Sequence, residues 1–305
     1  EVKMYRVQLK TLGLFLIFLI ELSLADPIPG PILDVWDNLN GTAGEPLSPD
    51  DIYLVDEHKL RVAIHIDPIS TTDFYNSNGT EISDSAFSYY RMNLPISFEY
   101  GIPGLFEIGF RMPYVLRNTA RLRSNTGGWS DFSVRIRTRI YGDIDEPIYL
   151  ALGGGIKFPT SQYEYVYYNL PLSYGSLDFF FGAYSMIRTG TLKYPIALTY
   201  SHTGRGREGD RIGEIITYRL GFVTDFGNFV DLNLGLKGYE ITEENRTEVW
   251  PDLPAQGISK TSVEASLIIR TIENRVNFSA GLLYDLRGKR SYAASTPFFT
   301  MQVNF

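Results

Sequence analysis

The 305-residue sequence contains no cysteine and only three histidines. Without cysteine there are no disulfides, no thiolate chemistry and no lipidated N-terminal cysteine. The histidines, His58, His65 and His202, are too scattered to predict a metal site, and no cofactor is predicted. Lys and Arg number 28 against 35 Asp and Glu. This acidic balance argues against nucleic acid as a partner, because phosphate binding needs a clustered basic surface.

Long apolar runs are also scarce. The clearest is Leu12 to Ile20, which follows Arg6 and Lys10 and precedes Ser23-Leu24-Ala25. A basic start, a short apolar core and small residues at a cleavage site are typical of a secretory signal. The apolar run is too short to span a bilayer. We therefore predict a signal peptide over residues 1–25.

Alternation of apolar and polar residues is abundant. From Tyr89 to Val115 it follows a period of two, interrupted at Gly101-Ile102-Pro103-Gly104, which predicts a hairpin of two amphipathic strands. No segment of the mature chain has a convincing helical period. The predicted strands are Lys59–Asp67, Ala86–Tyr100, Leu105–Val115, Ser130–Tyr141, Pro147–Phe158, Ser176–Met186, Leu192–Thr203, Ile212–Thr224, Phe229–Tyr239, Lys260–Ile272, Arg275–Arg287 and Thr296–Phe305.

The connections and the faces of these strands indicate a membrane barrel. Long and short connections alternate along the chain, and the apolar face of each strand carries no charge. Both features are typical of outer-membrane barrels, whose short turns are periplasmic. Residues 59–305 are therefore predicted to be all-β: a transmembrane antiparallel up-and-down β-barrel of about 12 strands with a polar lumen, in the outer membrane of a Gram-negative bacterium. Residues 26–58, rich in Pro, Gly and Asp, are predicted to form a periplasmic tail or a plug within the lumen.

The C-terminus predicts how the barrel is assembled. Phe299, Met301, Val303 and Phe305 alternate with polar residues, and the chain ends on the aromatic ring. This resembles the signal that the barrel-assembly machinery reads in outer-membrane proteins. The predicted partners are therefore the lipid bilayer, that machinery and a small-molecule solute.

The polar faces of the strands carry the candidate lumen residues. We expect Glu107 to pair with Arg137 or Arg139, with Glu99 contributing, because the planar guanidinium group can bind two carboxylates in a confined space. The network has two interpretations: it fills and rigidifies the lumen, or it selects anionic and polarisable solutes. The lumen candidates are Arg91, Glu99, Glu107, Arg111, Asp131, Arg135, Arg137, Arg139, Glu264 and Arg270.

Three other motifs predict no chemistry. Gly153-Gly154-Gly155 lacks the Lys-Ser/Thr pair of a phosphate loop and is expected to let bulky neighbours approach closely. Ser201 and His202 are adjacent in a strand, so they point to opposite faces and do not form a dyad. The acidic loop Glu240–Asp252 matches no defined calcium-binding spacing. No catalytic residue is predicted.

Three segments in the first half of the barrel carry a family resemblance. They are Leu105–Tyr114, then Gly128-Trp129-Ser130-Asp131-Phe132 leading into a strand that ends Tyr141-Gly142-Asp143, and Gly155–Thr160. Together they resemble the MetA-pathway of phenol degradation family of transporter-like outer-membrane proteins. The sequence departs from that pattern at Trp129, where a small residue is usual, and at Ser161, where glycine is usual. The resemblance implies a barrel that admits small hydrophobic or aromatic compounds, and it supplies no catalytic residue.

The leading functional prediction is passive passage of a small solute. Two alternatives stay open. The first is a non-transport scaffold or adhesin that acts through its long loops, 67–85 and 240–259. The second is an outer-membrane lipid hydrolase, which requires a serine from a neighbouring strand within reach of His202.

Overall fold

The computed structural model describes residues 46–75, 78–83, 89–119, 124–160, 175–205, 213–226, 229–242, 258–271, 275–289 and 291–305. The predicted signal peptide, residues 26–45 and most of the acidic loop lie outside them. No helix within these ranges is long and apolar enough to cross a membrane. The strands are β1 (Leu60–Thr71), β2 (Asp73–Tyr75), β3 (Glu81–Ser83), β4 (Tyr89–Ile102), β5 (Phe106–Thr119), β6 (Ser124–Trp129), β7 (Phe132–Tyr141), β8 (Ile148–Phe158), β9 (Asp178–Thr189), β10 (Leu192–His202), β11 (Ile215–Asp225), β12 (Val230–Ile241), β13 (Ile258–Arg270), β14 (Val276–Lys289), β15 (Ser291–Ala293) and β16 (Ser295–Asn304).

The sheet closes on itself. Neighbouring strands pair antiparallel from β4 through β1 and β16 to β14 and on to β5, and β4 also pairs with β5. Strands β6 and β7 pair with the two halves of β5, so they form one wall strand interrupted at Ser130 and Asp131. The predicted twelve-stranded antiparallel barrel is confirmed.

The two ends of the barrel differ, as predicted. One end carries short turns such as 103–105 and 190–191, and the other carries connections such as 159–177. We call them the short-turn end and the long-loop end. Strand β1 begins at the short-turn end, and strand β16 ends there. At this point the N–H of Phe305 donates to Leu60 O at 2.8 Å. Phe305 therefore takes part in closing the barrel.

The outer surface is apolar and the inner surface is charged. Phe98, Ile136 and Leu152 point outward and are 43%, 54% and 50% exposed. No charge occupies an outward position at mid-height of the described strands. Because a Lys or Arg at the bilayer midplane costs about 2–4 kcal/mol, this is the surface that lipid requires. In β9, Phe179 and Phe181 face outward and Asp178 is buried.

The described residues contain four short strands that the alternation did not predict: β6, which pairs with the upper half of β5, and β2, β3 and β15. Strands β2, β3 and β15 form a separate three-stranded sheet beside the long-loop end. Strand β1 also continues beyond the predicted end at Asp67, through Pro68. Its pairing with β16 stops at Ile66, so the missing N–H of Pro68 lies where β1 has one neighbour, and proline is tolerated there.

One predicted orientation is wrong. Strict alternation through the predicted strand Arg275–Arg287 places Arg287 on the lumen face together with Asp285, but Arg287 is exposed and donates to Thr261 at 3.4 Å. The register of β13 against β14 shifts between Thr261 and Ser262. A β-bulge inserts one residue and turns the following side chains to the other face. The alternating pattern alone carries no sign of this shift.

Candidate functional site in the barrel lumen

Residues 46–58, which we call the inner segment, run from the rim, where residues 56–58 are exposed, into the interior of the barrel. The segment passes the rim at the short-turn end, where the N–H of His58 donates to Gly101 O at 2.9 Å. A Cβ on Gly101 would lie 1.9 Å from Asp56 O, so glycine is required for this approach. At the far end of the segment, Arg219 of β11 donates to Pro46 O at 3.0 Å. The segment therefore extends from the rim into the interior.

Four arginines and two glutamates of the wall form one buried network, which we call the arginine cluster. Glu107 binds Arg137 through two hydrogen bonds of 2.8 Å, so the predicted pairing is present. Glu99 lies 3.2 Å from Arg61. The members are Arg61 of β1, Glu99 of β4, Glu107 and Arg111 of β5, and Arg135 and Arg137 of β7, each at most 6% exposed.

Asp51 of the inner segment enters this cluster. Its carboxylate lies 3.2 Å from Arg135 and 3.4 Å from Arg61, and 3.8 Å from both Arg111 and Arg137. Burial by itself raises the pKa of Asp51, but the positive charges around it outweigh burial, and the pKa lies below its usual range. Asp51 is therefore an ionised partner of all four arginines.

The backbone of the inner segment is bound by the same cluster. Arg137 donates to Asp51 O, and Arg61 donates to Tyr53 O at 3.0 Å. In the other direction, the N–H of Val55 donates to Glu107 at 2.9 Å. Wall side chains thus satisfy backbone groups that no strand pairs, as burial requires.

Beside the arginine cluster, the wall forms an apolar pocket for Ile52. This side chain is fully buried, and the adjacent Tyr53 ring meets Tyr149 edge to face at 4.9 Å. The phenol oxygen of Tyr149 also accepts the N–H of Leu54 at 2.9 Å. The pocket consists of Tyr149 and Ala151 of β8, Tyr184 and Met186 of β9, and Ala197 of β10.

The glycines of β8 make room for these bulky groups, as predicted. A Cβ on Gly153 would lie 2.7 Å from Cγ of Arg137, and one on Gly155 would lie 2.3 Å from the ring of Phe180. The side chain of Arg137 can therefore lie over Gly153 on the inner face of β8 and reach the inner segment.

The other predicted lumen residues belong to separate ion pairs. Arg139 binds Asp143 in the rim turn, while Arg91 lies 3.7 Å from Asp67 higher in the lumen. Asp131 lies 3.5 Å from Lys157. Glu264 binds Arg219, and Arg270 binds Asp231. The predicted set of ten thus divides into one cluster, to which five members belong, and several pairs along the bore.

The main site residue that the sequence did not predict is Asp51. It lies in a segment without periodicity, so no face could be assigned to it. One signal was available in the predicted set: near Glu99 and Glu107 the arginines outnumber the carboxylates. Buried charges need partners. The imbalance pointed to a carboxylate from elsewhere in the chain.

The Ser201-His202 motif does not form a dyad. Ser201 is buried on the lumen side, whereas His202 is exposed and its Nδ1 lies 3.1 Å from Glu214. The same glutamate accepts a hydrogen bond from Tyr200 at 2.7 Å. Adjacent strand residues face opposite ways, and the structure follows that rule here.

The sequence matches no protein-family model and no curated protein. Solved structures are similar to it, among them the crystal structure of an outer-membrane channel from Pseudomonas putida F1. That match has a TM-score of 0.71 and 13% identity, and it covers 85% of this chain and 99% of the other. At the level of the fold, this match agrees with the resemblance to the MetA-pathway of phenol degradation family found in the sequence.

Two further structures give lower scores. The β domain of the Bordetella autotransporter BrkA has a TM-score of 0.47 and 14% identity, covering 82% of this chain and 100% of the other. The NanC porin has a TM-score of 0.44 and 12% identity, covering 81% and 98%. The assignment of fold rests on the Pseudomonas channel, and at its low identity it concerns the fold alone. The chain has the fold of an outer-membrane β-barrel.

Proposed function

We propose that this protein is a passive channel for small solutes in the Gram-negative outer membrane, and that the inner segment regulates passage. The observation that carries this proposal is a closed barrel with a charge-free outer belt and a charged, enclosed interior. Porins that pass solutes enclose a polar interior of this kind. The similar Pseudomonas structure is itself described as an outer-membrane channel, which supports the proposal.

The inner segment acts as a plug in this proposal. Leu47, Asp51, Ile52 and Tyr53 are all buried inside the barrel. Their contacts reach strands on several sides of the wall, from Arg61 on β1 to the pocket on β8–β10. On this proposal the described state is the closed one, and conduction requires the segment to move.

Two observations support the proposed class of solute: the family resemblance of the sequence and the residues that line the lumen. The family resemblance implies small hydrophobic or aromatic compounds. The pocket that holds Ile52, with two tyrosines, a methionine and two alanines, is an apolar surface inside an otherwise charged lumen. We therefore propose passage rather than catalysis, for solutes with an apolar body.

A reversible cross-link tests the plug. Oγ of Ser48 lies 3.4 Å from Oε1 of Gln302 on β16. The natural chain has no cysteine, so Ser48→Cys combined with Gln302→Cys gives a unique pair that a short bis-thiosulfonate reagent can bridge. Single-channel recording in a planar bilayer should show openings before bridging, none after it, and their return on reduction.

The control is each single cysteine variant treated with the same reagent, which should keep its openings. Equal conductance in the bridged and reduced double variant contradicts the plug. A protein that conducts in no condition, although it is folded as judged by heat-modifiable migration, contradicts the channel itself.

A further inference from the structure

Asp51 and Ile52 are consecutive residues whose side chains enter two different sites. The carboxylate of Asp51 lies among the arginines, and the side chain of Ile52 fills the apolar pocket. Both residues are almost completely buried, at 3% and 0% exposed. Together they present a carboxylate beside an apolar group, which is the arrangement found in a small aromatic carboxylate.

We propose that the arginine cluster and the adjacent apolar pocket form a binding site for a small carboxylate with an apolar body, and that Asp51 and Ile52 occupy this site when the solute is absent. The inference rests on the proposed channel function and names the solute class of the same lumen. In it, the solute opens the channel by competing with the inner segment.

The charge balance supports an exchange of anions. The cluster contains four arginines, and Glu99, Glu107 and Asp51 provide three negative charges, leaving one positive charge in excess. Departure of Asp51 alone would raise that excess to two. Uncompensated buried charge is costly, so the segment leaves most readily when another anion takes the place of Asp51.

Two guanidinium nitrogens of the arginine cluster are available to donate hydrogen bonds to that anion. Among the residues that the structure describes, Nη1 of Arg135 and Nε of Arg61 are buried and have no hydrogen-bond acceptor. The backbone tether also limits how Asp51 approaches, since it lies 3.8 Å from Arg111 and from Arg137. A free carboxylate is not restrained in this way and can bind a guanidinium group through both oxygens.

A neutral solute of the same shape does not meet these requirements. It would fill the pocket of Ile52 but leave the arginines without a counter-charge, and a site with unmet charged donors discriminates strongly against such a ligand. Acetate would supply the charge but leave the pocket empty. Because the inner segment is tethered at the rim, its local concentration is on the order of millimolar, so a solute that binds the site with the same intrinsic affinity competes at similar concentrations.

The test uses the full chain with a single introduced cysteine, Ser48→Cys, in liposomes. Ser48 is buried, so the rate of labelling by a water-soluble maleimide reports movement of the segment. Millimolar benzoate should raise the rate about tenfold, whereas benzyl alcohol and acetate should leave it unchanged. An equal rise with benzyl alcohol overturns the proposal.

Calorimetric titration with benzoate gives an independent readout. Replacing Asp51 by asparagine removes the competing charge, so benzoate should bind Asp51→Asn about tenfold more tightly than the unmodified protein. Arg111→Gln should weaken binding, and it is preferred to Arg135→Gln because its contact with Asp51 is longer and folding is less at risk. Asp143→Asn, which removes a carboxylate from an arginine at the rim, should bind as the unmodified protein does.

Unchanged benzoate binding in Asp51→Asn, or none in any variant, overturns the proposal. This outcome is distinct from failure of the channel. If the cross-linked and reduced forms differ in conductance but benzoate does not compete, the plug stands and the solute class is wrong. If benzoate binds but no form conducts, the site stands and the channel proposal is wrong.

Discussion

Asp51, nine residues before the first barrel strand, lies 3.2 Å from Arg135 in the middle of wall strand β7. The two residues are 84 positions apart in sequence. This ion pair places a carboxylate of the inner segment among the four arginines of the lumen. The pair joins the segment to the wall, and it is the first contact to alter when testing whether the segment moves.

Asparagine at position 51 should loosen the inner segment. It keeps the volume of Asp51 but removes its charge, and breaking a buried ion pair typically costs about 3–5 kcal/mol. Single-channel recording of Asp51→Asn should therefore show a larger open fraction than the unmodified protein. Asp143→Asn is the matched control, because Asp143 is exposed and binds Arg139 at the rim. An unchanged open fraction would mean that other contacts hold the segment.

The same contact should be insensitive to mild acid. Because the pKa of Asp51 is lowered in the folded chain, its contribution is fully present above the ordinary carboxyl pKa of about 3.9 and is lost only as the pH falls through the lower folded value. Maleimide labelling of Ser48→Cys should therefore be equal at about pH 7 and pH 5 once thiol ionisation is corrected with a free-cysteine standard. A corrected rise by pH 5 would show that Asp51 is not held as described.

Removal of Arg137 should affect both stability and ion preference. The guanidinium group binds Glu107 twice and the backbone of Asp51. Arg137→Gln should lower the free energy of unfolding by about 3–5 kcal/mol, as for other broken buried pairs. Reversal potentials measured across a salt gradient should indicate a greater preference for cations over anions, because a positive charge has been removed from the lumen. Arg139→Gln, whose partner is exposed, should cost less than about 1 kcal/mol. Equal effects of the two variants would contradict the assigned burial.

The sequence predicted the wall of the barrel far better than its contents. Alternation with a period of two locates a strand and separates its faces, so the burial of Arg137 and the exposure of Leu152 followed directly. The inner segment has no period, and its fold depends on contacts such as Asp51 with Arg135. Local pattern carries no record of such contacts. The bulge at Thr261 and the short strand β2 were missed for the same reason.

Gly101 should be sensitive to any side chain. A Cβ at this position would lie 1.9 Å from the carbonyl oxygen of Asp56, a backbone atom that cannot rotate away. Gly101→Ala should displace the inner segment at the rim and raise the labelling rate of Ser48→Cys. Tyr100, the residue before Gly101, is exposed on the outer face, so Tyr100→Ala should leave the rate unchanged. Similar rates in both variants would argue against this route of entry.

The outer belt should reject charge according to depth. Leu152 lies near the middle of β8 and is 50% exposed to the outside. Leu152→Lys should destabilise the barrel by about 2–4 kcal/mol in a bilayer, whereas Ile102→Lys at the short-turn end should cost about 0–1 kcal/mol. Equilibrium unfolding in guanidinium chloride from lipid vesicles measures both. A smaller effect at position 152 than at position 102 would contradict the placement of the belt.

The ring of Phe305 should matter for assembly more than for the finished barrel. Phe299, Met301 and Val303 face outward on β16, and Phe305 is 69% exposed while its backbone pairs with Leu60. Phe305→Ala keeps that pairing and removes only the ring, so unfolding of the purified protein should change little. If the ring is part of a signal for the assembly machinery, the amount of heat-modifiable barrel in the outer membrane should fall severalfold. Phe226→Ala, which removes another exposed ring from the short-turn end, should not lower it. Phe226 lies in a turn and is not part of the C-terminal strand. An equal loss for both variants would therefore mean that any exposed aromatic ring at the short-turn end has this effect, and that Phe305 carries no specific signal.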